Sequence, residues 1–180
     1  MCADRVVVDY ALTPQALCTD HHHLSGVGEK KIKFEDRPLT DFDLLQWCKQ
    51  LKIPLKGVYS RDEARPPNHS PCIINLDDFG GLGTHWVCCR HTGGEYEYFD
   101  SFGLPPPLEW ENDLTLAGHK TFLRNDNQLQ WEGSVLCGYY CLLFLNERQK
   151  GRSFQEILNL FSNNLKVNEA VVKQYFSSLV

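Results

Sequence analysis

The clearest chemistry in the sequence lies in a histidine and an aspartate that a short hairpin would bring together. Residues 84–90 and 95–100 have the composition of strands, and the glycine-rich segment between them is typical of a tight turn. If the turn residues are Gly93-Gly94, His85 lies diagonal to Asp100 on one face; a turn one residue earlier places the two directly opposite. Either register predicts an imidazole oriented by a carboxylate, as a general base requires. A plain cross-strand polar pair is the alternative.

A second group of candidate residues surrounds a cysteine. Cys137 falls where a predicted apolar helix begins, and the exposed N–H groups and dipole of a helix start favour a thiolate. Gly138 lacks a Cβ that would obstruct an approaching peptide backbone. Gln130, upstream in the same segment, can donate its side-chain amide to an oxyanion beside the Cys137 backbone N–H. A structural cysteine beside an ordinary loop glutamine is the alternative, because cysteine is common in protein cores.

The combination points to acyl transfer at a thiol. In chain order, the sequence supplies a base, an orienting acid, an oxyanion donor and a nucleophile at His85, Asp100, Gln130 and Cys137. Such a set hydrolyses peptide bonds through an acyl-thioester intermediate. The elements that carry these residues must therefore bring the hairpin to the start of the helix.

The predicted elements form an α+β domain with helices at both ends of a central sheet. Strands at 72–76, 84–90 and 95–100 favour an antiparallel meander, because no helix fits between them, and 119–124 is a weaker strand. The predicted helices are 39–52, with Thr40 as N-cap and Pro54 as terminator, 137–149, 154–161 after a Ser153/Glu156 capping box, and 168–179, opened by Asn168. We predict a single domain over 1–180, with 1–29, which contains a His21-His22-His23 run, as a loosely ordered or accessory segment.

Length and charge limit the classes of protein to which the chain can belong. A chain of 180 residues with a formal net charge of −5 favours one domain and argues against a protein that coats nucleic acid. Charge is uneven, since residues 77–132 hold three Lys/Arg against ten Asp/Glu. This acidic stretch is either a solvated rim or a field that favours basic substrate segments.

The N-terminus and the apolar runs predict the compartment. The first residues lack an apolar run behind a basic start, so no secretory signal is predicted. The longest nearly apolar stretch, residues 137–145, is too short to cross a bilayer. We therefore expect an intracellular protein, in the cytosol or nucleus, that is neither secreted nor bound to membranes. Its eight cysteines are then expected to be reduced.

Three motifs resemble one enzyme family. They are Gly83-Thr84-His85-Trp86, Tyr98-Phe99-Asp100-Ser101-Phe102-Gly103, and the run from Gln130 to Gly138 followed by Tyr140-Cys141. In this order they resemble the adenovirus-type (adenain-like) and SUMO-type cysteine proteases, and are most similar to the adenovirus maturation protease and its relatives in DNA transposons and allied viruses. The acid at position 100 is Asp, as in SUMO-type members, where adenovirus-type enzymes commonly use Glu. The resemblance spans roughly residues 40–160.

The resemblance implies a papain-like α+β fold and a thiol endopeptidase that cuts viral or transposon-encoded precursors, often after glycine. In this reading His85 is the base, Asp100 its partner, Gln130 the oxyanion donor and Cys137 the nucleophile. Trp86 then forms a wall of the site. The implied partner is a polypeptide substrate, and no cofactor is required. The family also implies an activating peptide or DNA, although the acidic charge argues against DNA, and packaging in virions. A monomer is expected.

Two other functions stay open at this stage. Removal of a ubiquitin-like modifier such as SUMO uses the same site chemistry and the same preference for glycine. A non-catalytic or zinc-stabilised binding module is the alternative from another class, because His85, Cys89 and His91 share a face of one predicted strand. Cys88 points the other way, and paired Cys-x-x-Cys spacing is missing from the sequence, so no metal site is predicted.

Overall fold

The computed structural model describes residues 31–64, 68–119 and 122–179. Its elements, in chain order, are α1 (Asp41–Leu51), β1 (Gly57–Ser60), β2 (Cys72–Asn75), β3 (Trp86–Thr92), β4 (Glu95–Phe99), α2 (Leu108–Leu116), β5 (Leu123–Arg124), α3 (Cys137–Gln149), α4 (Phe154–Leu158) and α5 (Leu165–Ser177). The predicted N-terminal segment 1–29 and its histidine run lie outside the described residues.

The strands form one mixed sheet in the order β1-β2-β3-β4-β5. The central strands β2, β3 and β4 pair antiparallel, which confirms the predicted meander. The outer strands β1 and β5 each add in parallel to a neighbour. The sheet thus has its longest pairing at the β3–β4 hairpin, the part that the sequence motifs single out.

The hairpin turn fixes which residues face each other. Thr92 pairs with Glu95, so Gly93 and Gly94 form the two-residue turn, with φ values of 59° and 84°. Positive φ at both positions is the conformation of turns that match the twist of a hairpin, and glycine adopts it without strain. Of the two registers that the sequence allowed, the structure adopts the one that places His85 and Asp100 diagonally.

Apolar side chains cover both faces of the sheet. One face, which includes Cys88 and Phe99, packs against α1, α3, α4 and α5. The other, which includes Cys89 and Tyr98, packs against Trp110 of α2. Adjacent residues of a strand therefore enter different cores, as the period of two requires. Cys88 and Cys89 do point to opposite sides, as predicted.

Helix α3 runs through the larger core. Its residues from Gly138 to Leu145 are all buried, which confirms the prediction of a buried helix beginning at Cys137. Helix α1 has the predicted N-cap, with Thr40 and Asp43 forming a reciprocal capping box, and begins at Asp41 rather than at residue 39. It ends at Leu51 before a left-handed Lys52, two residues ahead of Pro54. The helices thus hold the start of α3 against the end of the sheet.

Several predicted boundaries were wrong. Helix α5 begins at Leu165 with Asn164 as its N-cap, because Asn168 is buried inside the helix and bonds to other segments. Helix α4 ends at Leu158, earlier than predicted. The sequence analysis did not predict β1 or α2. The weak strand at 119–124 shortens to the two residues of β5 within the part described.

Within the described ranges, no helix combines the length and apolar character needed to span a bilayer.

Phe144 of α3 is expected to be critical for stability. Its ring is fully buried and lies 4.6 Å from that of Phe99 and 5.1 Å from that of Phe154, so it joins α3 to the sheet and to α4. Phe144→Ala should lower the free energy of unfolding by about 3–5 kcal/mol, measured by urea denaturation. The matched control is Phe42→Ala on α1, where the side chain is 66% exposed and the change should be about 0.5 kcal/mol or less. Equal losses in both variants would contradict this role for the α3–sheet contact.

Candidate active site

The structure joins His85 to Asp100 by a short hydrogen bond. His85 Nε2 lies 2.7 Å from Asp100 Oδ1, and because a carboxylate accepts, Nε2 is the donor. The same oxygen accepts from the backbone N–H of Phe102 at 2.8 Å. Asp100 is fully buried, whereas the His85 side chain is 11% exposed. The carboxylate therefore sits behind the imidazole and holds it from the protein side.

The backbone around Asp100 is fixed by its own sequence. Strand β4 ends at Phe99, and a tight turn follows in which Gly103 N–H donates to the Asp100 carbonyl at 2.8 Å. Gly103 has a φ of 70°, and a Cβ there would lie 2.6 Å from the backbone carbon of Asn127, so only glycine fits. The buried Asn125 side chain bonds both the N–H and the carbonyl of Asp100. The carboxylate is thus held by both its turn and its neighbour.

Cys137 meets the other side of the imidazole. It is the first residue of α3 and is partly exposed, and its side chain lies near enough to the His85 ring to help raise the pKa of the imidazole. Nε2 is bonded to Asp100, so Nδ1 is the ring nitrogen that is left to interact with the thiol. The start of a helix favours negative charge on sulfur, because its first N–H groups lack intrahelical partners.

The charged neighbours of His85 stabilise its protonated form. Burial lowers the pKa of His85, but the hydrogen bond to Asp100 and the nearby Cys137 side chain outweigh it and raise the pKa to about 9. The imidazole is then a cation at neutral pH. A cation beside Cys137 is the arrangement that stabilises a thiolate.

Two aromatic residues lie in the cleft that contains His85. The Phe102 ring lies 4.7 Å from that of His85, and Trp86 lines the same cleft. The indole N–H of Trp86 donates to the Leu39 carbonyl at 2.9 Å, which fixes the ring. Trp86 is therefore placed where the sequence analysis expected a wall of the site.

The buried Gln130 side chain also faces the cleft. Its Nε2 donates to the Ser134 carbonyl at 3.0 Å, and its Oε1 accepts from the Ser101 hydroxyl at 2.7 Å. An amide nitrogen carries two hydrogens, and the second has no partner among the described residues. The amide can therefore donate to a group that enters the cleft near Cys137.

Helix α5 holds the loop that carries Gln130. Glu169 accepts from the Trp131 N–H at 3.3 Å and from the Tyr140 hydroxyl at 2.9 Å, and it also accepts from the Ser134 hydroxyl. Asn168 donates to the Leu129 carbonyl at 2.9 Å. Sequence analysis missed both supporting roles, since their partners lie far away in the chain.

His85, Gln130 and Cys137 line one open cleft of about 840 Å³. Four acidic side chains also line it: Asp41, Asp77, Asp78 and Glu132. Among the described residues the lining contains no lysine or arginine. The acidic stretch predicted from the sequence therefore contributes to the cleft itself.

Gly138 is not among the residues that line this cleft, and its predicted role in substrate binding stays a prediction. A Cβ on Gly138 would lie 3.2 Å from Leu39 Cβ and 3.3 Å from Leu44 Cδ2. The missing side chain therefore lets α3 approach α1 in the core. The sequence could not distinguish a close approach of helices from a close approach of substrate.

The remaining described cysteines lie in the core. Burial raises the pKa of Cys48 to about 12 and raises those of Cys72, Cys88 and Cys141 as well. In the described ranges, no three His, Cys, Asp or Glu side chains are grouped so that they could hold a metal ion. Cys137 is the described cysteine that reaches the cleft.

Known proteins with similar sequences are viral proteases. The SUMO-1 cysteine protease S273R of African swine fever virus (isolate Pig/Kenya/KEN-50/1950) is 27% identical over 153 residues, which are 72% of this chain and 56% of that protein. R355 of Acanthamoeba polyphaga mimivirus, a thiol protease by name, is 30% identical over 135 residues, 68% of this chain and 43% of that protein. The chain thus spans about half the length of these relatives. No family model matches it.

The fold is also that of a known protease. The crystal structure of the African swine fever virus pS273R protease superposes with a TM-score of 0.50 at 19% identity, covering 81% of this chain and 67% of that one. The predicted α+β fold of the adenain and SUMO-protease type is confirmed. The resemblance to these cysteine proteases is confirmed as well.

The ionisation of His85 gives a direct test of this geometry. Asp100→Asn removes the negative charge but keeps the size of the side chain. Burial of His85, which favours the neutral imidazole, then dominates, and the pKa of His85 should fall well below 9. In the wild type the imidazole should stay protonated as pH rises through neutrality and lose its proton near pH 9, measured by ¹⁵N NMR of the ring. Asp126→Asn removes an exposed charge paired with Arg124 and should leave the titration unchanged. A His85 midpoint that is equal in all three proteins would contradict the ion pair.

Proposed function

We propose that this chain is a cysteine endopeptidase that cleaves polypeptides after glycine, in the processing of viral or transposon-encoded precursor proteins. Cys137 is the nucleophile, His85 the general base and acid, Asp100 its orienting partner and Gln130 the oxyanion donor. The substrate is a polypeptide, and the chemistry uses groups of the protein itself, without a cofactor.

One observation carries this proposal: the partly exposed thiol at the start of a helix lines the same cleft as an imidazole that a buried carboxylate holds at 2.7 Å. Nucleophile, base and orienting acid in this order are the arrangement of cysteine proteases. The relatives named as cysteine and thiol proteases support the same conclusion. A zinc-stabilised module lacks comparable support, because His85 is engaged by Asp100.

The first half of the reaction forms an acyl-enzyme. The Cys137 thiolate attacks the carbonyl carbon of the scissile bond, and the carbonyl oxygen takes up the negative charge. The free N–H of Gln130 and the backbone N–H of Cys137 stabilise that oxyanion. The His85 imidazolium then protonates the leaving amine as the C–N bond breaks, which leaves a thioester on Cys137 and a neutral imidazole.

The second half releases the acid product. Neutral His85 accepts a proton from water as the water oxygen attacks the thioester carbon, and the same donors stabilise the second oxyanion. Collapse breaks the C–S bond and returns the thiolate beside the imidazolium. Asp100 keeps its hydrogen bond to Nε2 throughout, so that Nδ1 faces the reacting groups.

The preference for glycine follows from the resemblance and from the wall of the cleft. Trp86 is held by the Leu39 carbonyl at 2.9 Å and lines the cleft beside His85. A bulky, fixed ring in the wall of the cleft that also holds Cys137 favours a substrate residue with little or no side chain. Removal of a SUMO-like modifier from a conjugate is the second candidate, supported by the name of the viral relatives, SUMO-1 cysteine protease. An activating peptide remains part of the proposal by resemblance alone.

Cys137 is expected to react far faster than the buried cysteines. Limited iodoacetamide treatment followed by peptide mapping should label Cys137 at least about tenfold faster than Cys48 or Cys141, because thiolates react and buried thiols stay protonated. Hydrolysis of a fluorogenic Gly-Gly peptide should disappear in step with labelling, and Cys137→Ala should be inactive. Cys48→Ala is the matched control, since it removes a buried thiol away from the cleft and should retain activity.

The outcomes separate the candidate functions. Uniform labelling of the cysteines would remove the enzyme proposal. Cleavage of a SUMO fusion without cleavage of the peptide would replace the maturation protease with the deconjugase. Zinc bound to the purified protein in equal molar amount would favour the binding module.

The acidic lining predicts a preference for basic substrates. A peptide with lysines flanking Gly-Gly should have a kcat/KM about 2- to 5-fold higher than its glutamate counterpart at low salt, and the ratio should approach one in about 0.5 M NaCl. Asp78→Asn combined with Glu132→Gln should reduce the ratio in low salt. Asp113→Asn on α2 removes one charge outside the cleft and should have no effect. An unchanged ratio in the double variant would mean that the acidic side chains are merely solvated and do not contribute to the preference for basic substrates.

A further inference from the structure

We propose that Ser101 is a positioning residue that orients the Gln130 amide as the oxyanion donor. This inference rests on the proposed function and adds to it a residue that acts through another residue. In the part of the chain that the structure describes, Ser101 hydrogen-bonds neither His85 nor Cys137, and the effect of its hydroxyl on catalysis would pass through the amide alone.

The contact between the two residues is short, and both side chains are buried. The Ser101 hydroxyl donates to Gln130 Oε1 at 2.7 Å, and Ser101 is fully buried. The Ser101 carbonyl also accepts from the N–H groups of Leu129 and Gln130, at 2.8 and 2.9 Å. One residue therefore holds Gln130 by its backbone and by its side chain.

The orientation of the amide decides whether it can stabilise an oxyanion. The carbonyl and amino ends of a glutamine amide have nearly the same size, and the flipped side chain would present a carbonyl oxygen where a donor is needed. Ser134 contributes a backbone carbonyl, which accepts only, so Nε2 must face it. The Ser101 hydroxyl supplies the donor that Oε1 needs in this orientation. Together they favour the amide that donates into the cleft.

The position of Ser101 links the two halves of the site. It directly follows Asp100, whose carboxylate bonds His85, while its own hydroxyl bonds Gln130. The turn after β4 therefore orients the base with one residue and the oxyanion donor with the next. A shift of this turn would affect both functions, whereas removal of the hydroxyl alone should affect only the second.

The experiment compares Ser101→Ala, Ser101→Thr, Gln130→Ala and the double variant Ser101→Ala/Gln130→Ala. Each is assayed for kcat and KM on the Gly-Gly peptide and for inhibition by a Gly-Gly peptide aldehyde, whose hemithioacetal oxygen occupies the oxyanion position. The rate of iodoacetamide labelling of Cys137 serves as the internal control, because alkylation develops no oxyanion. Urea denaturation establishes that each variant is folded.

Ser101→Ala should lower kcat by about 10- to 100-fold and weaken the aldehyde by a similar factor, since loss of an oxyanion donor costs about 100- to 1000-fold. KM and the rate of alkylation should stay within about twofold of the wild type, and Ser101→Thr, which keeps the hydroxyl, should recover part of kcat. In the Gln130→Ala background the serine variant should have no further effect, because the two residues act as one unit.

Three results would overturn the inference. Alkylation that slows as much as hydrolysis would mean that Ser101 supports the whole site. Losses that multiply in the double variant would mean that Ser101 acts independently of Gln130. A folded Ser101→Ala with normal kcat would leave the proposed function intact and remove the inference alone, whereas a wild type inactive on the peptide and the SUMO fusion would remove the proposed function itself.

Discussion

The ion pair between His85 and Asp100 is the interaction on which the site depends. A fully buried carboxylate is costly unless it is paired and hydrogen-bonded. Asp100 obtains a backbone N–H from Phe102 and a donor from His85, at 2.8 and 2.7 Å. In return the imidazole keeps its proton, and that positive charge lies where Cys137 begins α3. The hairpin, the turn at Gly103 and the start of α3 thus bring the imidazole, the carboxylate and the thiol together.

Sequence reasoning succeeded where the controlling interactions are local. The turn at Gly93-Gly94 sets the register of the hairpin, so the meeting of His85 and Asp100 follows from counting residues. The start of α3 at Cys137 follows from an apolar run with no competing signal. Both kinds of evidence lie within a few residues of the feature that they predict.

Sequence reasoning failed where the role of a residue depends on contacts with distant segments of the chain. Asn168 has the residue type of an N-cap, yet it lies inside α5 and bonds the Leu129 carbonyl. Gly138 has the same missing Cβ whether a substrate or a helix approaches, and the contact with Leu39 and Leu44 is visible only in three dimensions. Support of the Gln130 loop by Glu169 likewise joins residues with no sequence pattern in common. These contacts depend on how α1 and α5 pack around α3 and the Gln130 loop, and no local motif encodes that packing.

The distribution of cysteines shows how one residue type serves two purposes in this fold. Cys88 and Cys141 fill the space between β3 and α3, where burial raises the pKa of each thiol and keeps it neutral and apolar. Cys137 lies one helical turn before Cys141 on the same helix, but at the end where N–H groups are free and an imidazolium is near. A single turn of helix therefore separates a buried packing thiol from the thiol that lines the cleft. Since the two residues are chemically identical, their different surroundings follow from where the helix starts relative to His85 and from the burial of Cys141.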